Sequence, residues 1–231
     1  MPQEGIFWRA SSSQNAHGAA TLILPDGTLW STALWFSDAI YGKITYANGP
    51  IHGTVAPFGK VSGNYILDGN IGPQTNLTLT LIRQGQASPD PFFIGNELIG
   101  TEEYLTTYPT KMDLPAGVYE SARKSFDPST ITIKEDGTFS VHETSISDST
   151  KSCNYAGTFK DTEYQYKTIT YKFSGPNCAL ADGTTIPSGV PMEGVLFTAR
   201  YVINGVTFNS FLLVGKDVSA PRHGITRMYN R

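Results

Sequence analysis

Two stretches of this chain follow one pattern. TLILPDGTLWS (Thr21–Ser31) and TITIKEDGTFSV (Thr130–Val141) each read as a β-branched, apolar run, then Asp-Gly-Thr, then a second apolar run. Asp accepts hydrogen bonds from its own turn, and Gly supplies the positive φ that a tight reversal needs, so each stretch predicts a β-hairpin. A hairpin written twice more than a hundred positions apart predicts a duplicated β unit.

The text around the hairpins repeats as well. GIFWR at Gly5 stands 21 positions before Asp26, and GVYES at Gly117 stands 19 positions before Asp136. Other runs, such as IYGKITYANG, IHGTVAPF, SGNYILDGN and NLTLTLIRQ, alternate or end in turn residues as strands do. The best helical pattern is GTEEYLTTYP, which Pro109 would stop within a few turns. Charged residues are only 16% of the 231, while 23 Gly and 14 Pro are scattered along the chain. That profile fits an all-β protein with many turns. The expected fold is two tandem antiparallel β domains, barrel-like because closure removes edge strands, with a β-sandwich as the alternative. The expected boundaries are an N-terminal β domain at 1–100, a linker at 101–115 and a C-terminal β domain with a disulfide at 116–231.

Cys153 and Cys178 lie 25 positions apart in strand-like text. That spacing suits neither CxxC redox chemistry nor a zinc site, and an even count in β text reads as a structural disulfide. A disulfide implies an oxidising compartment, which favours export, although MPQEGIFW lacks a basic n-region and an apolar h-region. The net charge of −3 and the absence of a Lys/Arg run provide no footprint for nucleic acid.

The order of GIFWRA, LILPDGTLW, MDLPAGVYES, ITIKEDGTFSV, SCNYAGTF and TITYKFSGPNC resembles a group of uncharacterised proteobacterial two-domain lipoproteins. Their pattern is an export signal, a lipidated Cys, then two Gly-x-aromatic domains, the second carrying C-x-[Tyr/Phe]-x-G-T and a later Cys. The resemblance covers most of the chain and implies a periplasmic or outer-membrane-surface location. The lipobox is not in this sequence, so membrane association is expected only through an N-terminal lipid anchor. The resemblance implies no reaction.

Catalytic text is sparse. His17, His52, His142 and His223 show no metal-ligand spacing. There is no G-x-S-x-G elbow and no phosphate loop. His142-Glu143 suggests a general base, but the alternation of SVHETS favours a solvated pair. The sequence therefore points to no catalytic, cofactor or metal site. Trp8, Trp30, Trp35, Phe36, Tyr41 and Tyr46 crowd the first domain. Core packing accounts for such aromatics most often. The other reading is a surface for a ligand or partner. Thr28–Phe36 carries large apolar groups on both faces, so the strand is either buried twice or offers one face to a partner.

Three functions follow. The first is a non-enzymatic envelope or cell-surface protein that binds a protein partner in adhesion, assembly or host recognition. The second is a carrier of a small apolar ligand in a barrel cavity. The third, an envelope hydrolase, needs residues such as Asp26, Glu102, Glu103, Asp136 and His142 to converge.

Overall fold

The computed structural model describes residues 5–9, 19–33, 39–46, 50–58, 64–71, 77–87, 100–104, 112–122, 128–144, 152–163, 166–175, 178–179, 185–203, 206–220 and 223–231. Among these there is no helix, and most lie in antiparallel strands. Two compact units emerge: Met1–Thr107 with Arg200–Phe208, and Tyr108–Ala199 with Asn209–Arg231.

The first unit is a closed eight-stranded barrel of β1 (Gly5–Arg9), β2 (Ala19–Ile23), β3 (Thr28–Ala33), β4 (Ala39–Tyr46), β5 (Pro50–Pro57), β6 (Tyr65–Ile71), β7 (Leu77–Arg83) and β8 (Gly100–Tyr104). Each strand pairs with the next in sequence. The ring closes where Phe7 and Trp8 of β1 pair with Tyr104 and Glu103 of β8. The first part of the segment with the best helical pattern, Gly100–Tyr104, is thus the closing strand, because barrel pairing outweighs local propensity. Register places Ile23, Leu29, Ile40, Ile44, Val55 and Leu67 on one face, and all are buried. The opposite face of β2 and β3 carries Leu22, Trp30 and Thr32, which are buried too. β3 is therefore buried twice.

The second unit is an eight-stranded antiparallel sheet in the order β18-β17-β16-β13-β12-β11-β10-β9. Its strands are β9 (Gly117–Glu120), β10 (Ser129–Ile133), β11 (Thr138–Thr144), β12 (Ser152–Asp161), β13 (Tyr166–Ser174), β16 (Pro191–Ile203), β17 (Val206–Asp217) and β18 (Gly224–Asn230). A small pair, β14 (Cys178–Ala179) and β15 (Thr185–Ile186), forms a separate two-stranded sheet whose Cys178 and Ile186 pack into the same core. Among the described residues the two edges meet at one bridge, Ser121 to Tyr229, beside which the Ala122 N–H donates to Met228 O at 2.9 Å. The sheet is thus nearly closed, as a barrel-like domain should be. Its core gathers Ile131, Phe139, Tyr155, Tyr171, Phe211 and Tyr229 among others. On the outward face of β16–β18, Val195, Phe197, Leu212, Val214 and Met228 are also buried.

Residues 101–115, expected as a linker, include most of β8. They also include Met112 and Leu114, which pack into the core of the second unit.

The two hairpins that opened the sequence reading have matching backbone bonds. In the first, the Leu24 N–H donates to Thr28 O at 2.8 Å and the Ile44 N–H to Gly27 O at 2.9 Å. In the second, the Lys134 N–H donates to Thr138 O at 3.0 Å and the Phe159 N–H to Gly137 O at 2.8 Å. Gly27 and Gly137 take φ of 78° and 82°.

Candidate functional site

The six aromatics divide by what can be described. Trp30 is 4% exposed, with its ring 4.5 Å from Tyr41 and 6.3 Å from Phe58. Tyr41 is half-buried. Register places Trp30, paired with Tyr41, on the face opposite Leu29. Trp8 pairs with Ala20 and Glu103 along the backbone, and Tyr46 pairs with Ile51. Trp35 and Phe36 lie outside the described residues.

The proposed acidic cluster does not assemble among the described side chains. The carboxylate of Asp26 accepts from the Thr28 N–H at 2.9 Å and from Lys43 Nζ at 2.5 Å. Asp136 accepts from the Thr138 N–H at 2.9 Å and the Thr138 hydroxyl at 2.6 Å. Both carboxylates serve their own turns, one in each unit. Partial burial pushes Asp26 up, but the bonds from Lys43 and Thr28 outweigh it and hold the group below its ordinary range. The two bonds from Thr138 lower Asp136 likewise. Glu102 and Glu103 lie on β8, in register with Leu77 and Trp8. Among the described residues, no three His, Cys, Asp or Glu side chains come together as metal ligands.

His142 and Glu143 do not act as a pair, because neighbours on a strand point to opposite faces. His142 faces outward, with Nδ1 2.7 Å from Asn154 Oδ1. Glu143 faces the core. Its carboxylate receives the Arg227 guanidinium through two bonds, Nε to Oε1 at 2.7 Å and Nη2 to Oε2 at 2.6 Å. The Tyr155 hydroxyl donates to Oε1 at 2.7 Å. The ion pair bridges β11 and β18, with only 13% and 10% of its two side chains exposed. Burial, with the Glu143 charge next, pushes Tyr155 and Tyr229 well above the usual tyrosine range, so both hydroxyls stay protonated. Near this end of the core the Tyr171 hydroxyl is buried without a hydrogen-bond partner among the described residues, while the Ser129 and Tyr229 hydroxyls lie buried beside each other. A second pair, Lys167 with Asp161, joins β12 to β13, and Lys167 Nζ sits 4.9 Å from the centre of the Phe159 ring.

Sequence reading missed the Glu143–Arg227 pair, although a signal existed. Period-two alternation in Val141-x-Glu143 and in Ile225-x-Arg227-x-Tyr229 puts charges of opposite sign at inward positions.

Outside the sheet, Glu120, Thr130, His142, Asn154 and Ser174 stand in register as one polar row across β9–β13. At one end of that row lies an open groove of about 220 Å³, lined by Glu120, Pro128, Ser129, Thr130, His142 and Thr144. Cys153 pairs with Glu143 in register, and the disulfide ties it to Cys178 of β14.

These features define a two-unit, disulfide-containing β protein with many buried apolar side chains, a buried ion pair and a polar outer sheet face. Compared with known proteins, the chain matches no family, no curated protein and no solved structure.

Proposed function

We propose that this is a non-enzymatic protein of the cell envelope or surface that recognises a protein partner through the outward faces of its β units. One observation carries the reading: among the described residues, the inward positions of both units hold bulky side chains that are almost wholly buried. Side chains of that bulk take up interior space that a carrier barrel would leave to its ligand, which favours recognition on the outside. The polar face of β10–β13, where Thr158, Thr170, Lys172 and Ser174 are exposed, is broad enough for that role. The disulfide suits an oxidising compartment, and the resemblance to envelope lipoproteins supports the same location.

The test is capture from envelope extract with the purified chain as bait, followed by mass spectrometry of retained proteins and small molecules. A specific protein, retained by the native chain and lost with Thr170→Arg and Lys172→Glu, supports the reading. An apolar small molecule retained without any protein replaces it with a carrier. Turnover of envelope polymer replaces it with a hydrolase. Retention of nothing overturns the binding reading.

A further inference from the structure

We infer that the β14–β15 pair is a flap over one end of the second unit's core, clamped shut by the Cys153–Cys178 disulfide and released when a dithiol reduces it. β14 and β15 pair with each other and, among the described residues, with no other strand. They cover apolar surface, because Cys178 and Ile186 are 1% and 2% exposed and join the core with Tyr155 and Phe173. The disulfide ties β14 covalently to β12. Two glycines bracket the pair between β13 and β16. Gly175 and Gly189 take φ of 126° and 85°, and a Cβ on either would meet nothing within 4 Å. A glycine at positive φ in open surroundings changes its dihedrals without a clash, which is what a hinge needs. At the second hinge the Gly189 N–H and the Ser188 hydroxyl both donate to Phe173 O, at 2.9 and 3.3 Å.

The clamp stands beside the charged part of the core. Cys153 pairs with Glu143 in register, so the disulfide neighbours the carboxylate that holds Arg227 and Tyr155. Cys153 is half-buried and Cys178 buried, so the thiolate of an incoming dithiol attacks Sγ of Cys153. The S–S bond breaks, and Cys178 leaves and takes up a proton. The second thiol of the reagent then displaces Cys153 from the mixed disulfide. Two electrons pass to the protein, which ends with two thiols, and the reagent ends as a disulfide. Turning about the two glycines then lets water reach the Glu143–Arg227 pair. The solvation regained by two buried charges offsets the apolar surface that the flap exposes. This inference stands apart from the protein-partner reading, and either can fail without the other.

The experiment is hydrogen exchange of the full chain, read by NMR at neutral pH with and without dithiothreitol, with the freed thiols counted by alkylation. On reduction the amides of Cys178–Ala179 and Thr185–Ile186 should exchange like an unstructured chain, about tenfold faster or more. Those of Ile131 and Val141, in the β10–β11 hairpin, should stay protected far longer. The Arg227 Nε proton should exchange faster along with the flap, which a crosslink that only stiffens the unfolded chain would not cause. Cys153→Ala with Cys178→Ala should show the open pattern with or without the reagent. If that variant fails to fold, the reduced native chain decides alone. A disulfide that does not react in the folded chain, a flap still protected after both thiols are counted, or a loss of protection shared equally by Ile131 and Val141 overturns the inference.

Discussion

Glu143, Arg227 and the tyrosines around them set the most demanding chemistry in the second unit. Removing one member of a buried pair leaves an uncompensated charge. Arg227→Met should therefore destabilise this unit by about 3 kcal/mol, while the double change Glu143→Leu with Arg227→Met should recover most of the loss. Denaturant midpoints of the three variants check this, and additive losses would contradict it. The tyrosines separate in the same way. Tyr155→Phe removes a bond to a carboxylate and should cost about 2 kcal/mol. Tyr171→Phe removes a hydroxyl with no partner, so it should be neutral or stabilising. The Asp26 carboxylate has a pH signature. Its pKa is held below the ordinary 3.8, so its contribution is complete above that value and is lost as pH falls through the lowered folded pKa. Asp26→Asn should flatten the stability profile of the first unit below about pH 4 and leave it parallel to the native profile at neutral pH.

At the scale of elements, the paired hairpins offer a controlled comparison. Both turns hold Gly at positive φ, where any side chain costs about 1 kcal/mol or more. Their surroundings differ. A Cβ on Gly27 would lie 2.4 Å from Ile44 O, whereas one on Gly137 would meet only Phe159 O at an ordinary 3.5 Å. Gly27→Ala should thus cost clearly more than Gly137→Ala, read from the unfolding midpoint of each unit. Equal costs would mean that the β4 backbone gives way freely. The hairpins were legible in sequence because Asp-Gly-Thr encodes a turn through local chemistry alone. The closing strand β8 was not, because GTEEY carries no β pattern of its own and is a strand only through pairing with β7 and β1. The groove was equally hidden. Glu120, Thr130 and His142 come from three strands, and their alignment is a matter of register, which no local window reports.

For the whole molecule, the disulfide and the tryptophans mark different units. Cys153 and Cys178 belong to the second, while Trp8, Trp30 and Trp35 all fall in the first. Replacing both cysteines by serine reopens a loop of 25 residues and should lower the stability of the second unit by about 3 kcal/mol. Tyrosine absorbance is the probe for that transition, and tryptophan fluorescence reports on the first. A tyrosine transition that does not move on reduction would contradict the expected role of the crosslink. The count of two β units, their antiparallel character and the crosslink were readable before any coordinates, because each rests on local turn chemistry or on cysteine arithmetic. The inward charges were overlooked because a period of two was applied to apolar residues and not to Glu143 and Arg227.

The ring order of the first unit also sets a timetable. Seven of its pairings join strands adjacent in sequence, but β1 must wait for β8, whose pairing residues lie almost a hundred positions later. At a synthesis rate of roughly 5–20 residues per second, the free edge of β1 stays open for about 5–20 s. The second unit repeats the problem over a longer span, since the bridge at Ser121 needs Tyr229, almost the last residue of the sequence. Each nascent unit therefore carries an unpaired strand edge until its final strand arrives, and that interval is when the chain is most exposed to pairing with the wrong neighbour.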